Sequence, residues 1–127
     1  MQGFWYIATP YSNYSGENGG PGLEVAVQQA CKAAAHLIDL GLKVYSPIAH
    51  TDTLAMKGDI DPLDHDIWMP QDEPFMEAAK GLIVVTMDGW DNSKGVREEI
   101  YKFREMDKPI VYMEWDEEMR FPALLRG

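Results

Sequence analysis

Apolar residues in this chain fall into short unbroken runs, separated by stretches in which they recur with a longer period. Residues 4–9, FWYIAT, form an apolar run ending in Thr-Pro and predict a buried strand. Residues 81–87, GLIVVTM, give the clearest buried strand, and KVYSPI (43–48, stopped by Pro47) and PIVYME (109–114) predict two more. Runs of this kind suit strands covered on both faces. Between them, Leu23, Ala26, Val27, Ala30, Ala33, Ala34 and Leu37 recur at helical spacing, and Gly41 sits where a C-terminal cap belongs. A second helix is expected over 95–107, and a short one over EPFMEAAK (73–80) with Pro74 in its first turn. PYSNYSGENGGPG (10–22) reads as a loop, and residues 49–65 as irregular and acidic. Alternating strands and helices predict one α/β domain over residues 1–127, a mostly parallel sheet of four or five strands with right-handed crossovers and helices on both faces. A ligand belongs beyond the carboxyl ends of such strands, which places it near the segments after Thr9, Pro47 and Met87.

Composition narrows the partners. A formal charge of −10 argues against nucleic-acid polymers and anionic membranes, while leaving room for a small anion held locally at a helix N-terminus. One cysteine, Cys31, rules out a disulfide framework or zinc cluster within the chain, and its place beside the apolar stripe suggests inert core. No signal peptide and no apolar run of membrane-spanning length is evident, so a soluble, cytoplasmic protein is expected.

The stretch VVTMDGWDNSKGVREEI (84–100) carries the chemistry: a strand gives way to a polar loop, and then to a helix with two adjacent glutamates. Val96, Ile100 and Phe103 mark the buried stripe of that helix, and Glu99 lies on or beside it. Glu98 instead stands four residues before Lys102, in the orientation of an exposed ion pair. Both gain from the helix macrodipole, but a half-buried carboxylate at the mouth of a parallel sheet is where a nucleophile or general base is expected. Asn92 and Ser93 are suited to capping, and Gly95 lets a ligand approach the backbone, so capping and an anion seat are both open. Neither a P-loop nor a G-x-G-x-x-G follows a strand, and GENGGPG is at most a glycine-rich lid.

Asp72 either caps the helix after it or pairs with Glu99 as a second carboxylate. Asp88 and Asp91 read first as solvated turn acids; His50 lies at the ligand end of the second strand, and His36 on a polar helix face. Tyr11 and Trp90 are loop aromatics able to stack on a base or simply pack. His65 sits among acids in a stretch whose spacing matches no trusted ligand pattern, so no metal is expected.

These residues resemble the nucleoside 2-deoxyribosyltransferase superfamily. The resemblance rests on YIATPYS, YSPIAH, DEPFMEAAKGLIVV and GWDNSKGVREEI followed by KPIVYM, and runs over most of residues 4–114, with the S-x-G-x-x-x-E piece its most specific part. It is closest to a small branch, and touches the 2′-deoxynucleoside 5′-monophosphate N-glycosidases. It implies a flavodoxin-like three-layer fold, no cofactor, a small nucleotide or nucleoside as substrate, and a homodimer or larger homo-oligomer. It also implies that Glu99 attacks C1′ of the sugar and that Asp72 handles the leaving base, with Asp88 a candidate to assist it. Ser93 stands where the nucleotide hydrolases place a serine for the 5′-phosphate, which favours a monophosphate substrate, with Thr9, Pro10, Tyr11, Ser12, His50, Asp88, Trp90, Asn92 and Gly95 completing the binding set. The arginine-containing turn of those hydrolases is absent after the first strand, where ATPYSNYS stands instead. Base exchange, or nucleotide binding without catalysis, is the alternative on the same fold.

Overall fold

The computed structural model describes residues 3–11, 22–115 and 125–127. Ser12 and nearly all of the glycine-rich stretch lie outside them. Strand β1 (Trp5–Ala8) is followed by helix α1 (Gly22–Asp39), β2 (Val44–Tyr45), α2 (Pro47–Gly58), α3 (His65–Ala78), β3 (Gly81–Val85), a 3-10 turn (Trp90–Asn92), α4 (Lys94–Glu105), β4 (Ile110–Met113) and β5 (Leu125–Arg126). The sheet order is β2-β1-β3-β4-β5, parallel throughout except for the antiparallel β4–β5 pair. This is the flavodoxin-like order, whose direction of winding reverses between β1 and β3. The crevice at that reversal collects the chain leaving β1 and the chain leaving β3.

Period-two alternation along β1 sends Ile7 toward α1, where it meets Ala33, Leu37, Ile83, Val85 and Met113. Tyr6 and Ala8 face the other way, with Leu82, Val84, Met76, Val96 and Phe103 beneath α3 and α4. All five residues of β3 are buried, as befits a strand covered on both faces. Gly81 opens β3 because a Cβ there would collide with the Trp5 ring and the Pro109 carbonyl.

Helix ends follow local chemistry. Gly41, at φ 92°, closes α1 with bonds from Gly41 N to Ile38 O and from Leu42 N to Leu37 O. Asp107, at φ 55°, does the same for α4 through Arg104 O and Phe103 O. The carbonyls ending α3 are met by Lys108 Nζ, which donates to Met76 O at 2.9 Å, to Ala79 O at 2.7 Å and to Glu77 O.

The middle of the chain is more helical than its sequence suggests. Only Val44 and Tyr45 of KVYSPI are strand, because Ser46 caps α2 and Pro47 occupies its first turn, where a missing N–H costs nothing. The acidic stretch after it is helical as far as Gly58. Helix α3 begins at His65 rather than near residue 73, capped by Asp64, and it continues through both Pro70 and Pro74. Gln29, buried in α1, has its amide oxygen satisfied by the Trp115 indole at 2.9 Å. Cys31 is exposed, not core. Among the described residues no helix is long and apolar enough to cross a membrane.

Candidate active site

A pocket opens where β1 and β3 end. The segment leaving β1 contributes Thr9 and Tyr11; α4 contributes Gly95 and Glu99, with its cap Ser93; α3 contributes His65, Trp68, Met69 and Asp72. The α3 residues are spaced three and four apart, so one stripe of the helix faces the cavity. α2 and the connection after it close the remaining side with Pro47, Ile48, Thr51, Pro62 and Leu63.

Glu99 and Asp72 thus reach one pocket from two helices, although 27 positions separate them in sequence. Asp72 is no helix cap, since it lies well inside α3. Glu99 is half-buried: its open side faces the pocket and dense protein surrounds the rest. Burial pushes its pKa up to about 8, and the charges of Asp72 and Glu98 push in the same direction. Burial alone lifts Asp72 to about 6. The neighbour that opposes the rise at Glu99 is the Tyr6 hydroxyl, fully buried in β1 and turned toward the carboxyl without completing a hydrogen bond to it. Tyr6 itself is driven far upward by burial and by the two carboxylates, so it stays a phenol that can donate to either group when that group is ionised.

The hydroxyls around the cavity are poorly satisfied. Thr9 Oγ1 and Tyr11 Oη are buried without a hydrogen-bond partner among the described residues, and both residues line the pocket. Buried polar atoms normally find partners, so these two are donors and acceptors that a ligand can satisfy. Ser93, 3% exposed, caps α4 by accepting from Val96 N at 3.3 Å, which leaves its own O–H available to the cavity. No lysine or arginine lines the pocket among the described residues; Lys94 borders a neighbouring cleft with Asp66 and Glu98. Nor do the described residues hold three or more His, Cys, Asp or Glu side chains grouped to bind a metal.

Of the residues singled out in the sequence, Glu99, Asp72, Ser93, Gly95, Thr9 and Tyr11 meet in this pocket. Pro10 is fully buried and is not part of the lining. His50 turns aside: its Nδ1 lies 3.1 Å from Tyr45 Oη, and Tyr45 stacks on Phe75 at 4.3 Å. Asp88 and Asn92 are exposed away from the lining, and Trp90 packs edge-on against Tyr112 at 5.8 Å. Glu98 does not take Lys102, which bonds Glu73 across the α3–α4 junction at 3.0 Å. Trp68, Met69, Ile48 and Leu63 carry no mark in the sequence until α3 is known to begin at His65; the i, i+3, i+7 spacing of His65, Trp68 and Asp72 then groups them.

The family model named Domain of unknown function (DUF1937) matches residues 3–115. The chain belongs to the DUF1937 family. No curated protein sequence matches this DUF1937 chain.

Proposed function

We propose that this DUF1937 protein cleaves the N-glycosidic bond of a nucleoside 5′-monophosphate, with a deoxy sugar, using Glu99 as nucleophile. The observation that carries the reading is the meeting of Glu99 and Asp72 in one pocket at the sheet's winding reversal, both with raised proton affinity. Two carboxyl groups that hold one proton between them near neutral pH supply both a nucleophile and a proton for the leaving group.

In this mechanism Glu99 yields its proton to Asp72 as its carboxylate engages C1′. A C1′–O ester bond forms, the C1′–N bond breaks, and the electron pair leaves with the base, which takes the proton from Asp72. Water then attacks C1′, gives a proton to Asp72 and releases Glu99, so the products are free base and sugar phosphate. Ser93 O–H, the first N–H groups of α4, Thr9 and Tyr11 supply donors for the phosphate and sugar. The enzyme would work in the cytoplasm as a homo-oligomer.

The absence of lysine and arginine from the described lining favours a second reading: an uncharged nucleoside as substrate, with transfer of the deoxyribosyl group to another base. Base release from nucleosides and their 5′-monophosphates, with and without a second free base, separates the two. Release from monophosphates that disappears in Glu99→Gln supports the first; a new nucleoside formed only with added base supports the second. No release from any compound would leave a nucleotide-binding module.

A further inference from the structure

The pocket has two unlike sides. Thr9, Tyr11, Ser93 and Glu99 make one side polar. The opposite side, from α2, the connection after it and α3, presents Pro47, Ile48, Pro62, Leu63, Trp68 and Met69. Asp72 stands at the border, one helical turn beyond Trp68 on the same stripe of α3. Trp68 is 8% exposed, and its indole N–H donates to Asp61 O at 2.8 Å, which fixes the ring plane and ties it to the connection that carries Pro62 and Leu63. Thr51 and His65 are the only other polar side chains on this side, and no asparagine, glutamine, lysine or arginine lines the cavity among the described residues.

Proteins that read nucleobases closely pair donors and acceptors with the base edge. This wall offers few. The geometry points to a leaving-group compartment that selects a flat heteroaromatic ring by stacking and apolar contact, with Trp68 as its anchor, rather than by hydrogen bonds to exocyclic groups. The inference rests on the glycosidase reading and adds to it the residue that sets leaving-group preference and the kind of ring preferred. Guanine, hypoxanthine or cytosine entering the compartment must bring amino and carbonyl groups against Trp68 and Met69, where Thr51, His65 and the bordering Asp72 are the few polar side chains within the described lining, which costs affinity. Purine and benzimidazole carry no such groups and keep the full stacking surface.

The test is binding of free purine, benzimidazole, hypoxanthine, guanine and cytosine to the intact protein, by calorimetry and tryptophan fluorescence, in wild type and in Trp68→Phe, Trp68→Leu and Leu63→Ala. Purine and benzimidazole should bind about ten-fold or more tighter than hypoxanthine and guanine. Trp68→Phe should abolish most of the fluorescence change while keeping most of the affinity, and Trp68→Leu should lose about ten-fold for every ring. Leu63 is 43% exposed, so Leu63→Ala keeps the fold and should weaken all rings a few-fold even where Trp68→Leu proves unstable. Binding of hypoxanthine or guanine in preference to purine, unchanged affinity in both Trp68→Leu and Leu63→Ala, or no binding of any ring overturns the inference. Ring binding in the expected order without turnover of any nucleoside or nucleotide removes the glycosidase and leaves the compartment. Turnover with bases ranked by their hydrogen-bonding groups does the reverse.

Discussion

The two faces of the sheet are built from the same strands but differ in what they bury. Under α1, Ile7, Ile83, Val85 and Met113 meet Ala33 and Leu37, and the buried polar side chain of that helix, Gln29, has its amide oxygen satisfied by the Trp115 indole. Under α3 and α4 the packing begins the same way, with Leu82, Val84, Val96 and Phe103, but toward the carboxyl ends it includes the Tyr6 phenol and abuts Glu99 and Asp72. β1 serves both faces, giving Ile7 to one and Tyr6 to the other. Burial of those apolar side chains under α1 is favourable, about 25 cal/mol for each Å² of apolar surface. On the other face, enclosing carboxyl groups costs free energy, which the raised proton affinities record. A sequence that keeps such a cost beside a cavity has a use for it, and substitutions should therefore separate stability from activity by face.

The largest separation comes from Glu99→Gln. It removes the proposed nucleophile and should lower turnover by about a thousand-fold or more, while thermal stability is unchanged or higher. Leu37→Ala on the α1 face should do the opposite. It leaves a cavity among Ile7, Ala33 and Ile83, costs roughly 2–4 kcal/mol in denaturant unfolding, and leaves turnover per folded molecule intact. Equal loss of activity in both variants at matched folded fraction would erase the distinction between the faces.

How far this division was legible beforehand differs by element. β3 and α4 were plain, because an unbroken apolar run and a helical stripe of Val96, Ile100 and Phe103 leave little choice of period, and Glu99 came with them. The middle of the chain was opaque. Pro70 and Pro74 look like helix boundaries, yet α3 runs through both, since its stripe of Trp68, Met69, Asp72 and Met76 is held by tertiary contact rather than by propensity. A helix beginning near residue 73 makes Asp72 its cap and leaves Trp68 outside, whereas the start at His65 puts both on one stripe. In α2, Pro47 ends the strand early and begins a helix of weak amphipathicity, so a segment that walls the pocket read as irregular. Loop aromatics drew attention for the same reason, but Trp90 packs on Tyr112. Sheet order follows from no local pattern and enters only through the resemblance, which implies the flavodoxin-like arrangement that brings the exits of β1 and β3 together.

Next in size is the response to pH. Glu99 has a folded-state pKa near 8 against an ordinary 4.5, and Asp72 one near 6 against 3.8. The folded protein therefore holds these protons more tightly than the unfolded chain. Their contribution is fully present below the ordinary values, and it is lost as pH rises through about 6 for Asp72 and about 8 for Glu99. Wild type should lose stability relative to Glu99→Gln between pH 5 and pH 9, by on the order of 2 kcal/mol after screening by water in the pocket. Urea midpoints of the two proteins at pH 5, 7 and 9 measure this difference, and a constant gap would mean that Glu99 titrates normally. The glycosidase reading adds a bell-shaped kcat/KM, with limbs near pH 6 and 8, because only the singly protonated pair is active.

The smallest effect compares two glycines, one in the sheet and one in the pocket. Gly81 is required by its neighbours, and Gly81→Ala would push a methyl group into the Trp5 ring and the Pro109 carbonyl. Gly95 has no such constraint: a Cβ there would meet only Ser93 Oγ at 3.9 Å, an ordinary contact. Glycine within a helix costs roughly 0.5–1 kcal/mol relative to alanine, and less in the first turn, so the fold alone has no reason to keep it. Gly95→Ala should raise stability by a few tenths of a kcal/mol, up to about 0.5 kcal/mol, in urea unfolding. The same methyl group projects toward the space beside Ser93, where the proposed phosphate or sugar would lie, and should raise KM several-fold with little change in kcat. Opposite signs for stability and substrate affinity, from one methyl group, would identify the α4 N-terminus as ligand surface. An unchanged KM would move the ligand away from α4 and leave Ser93 as a helix cap alone.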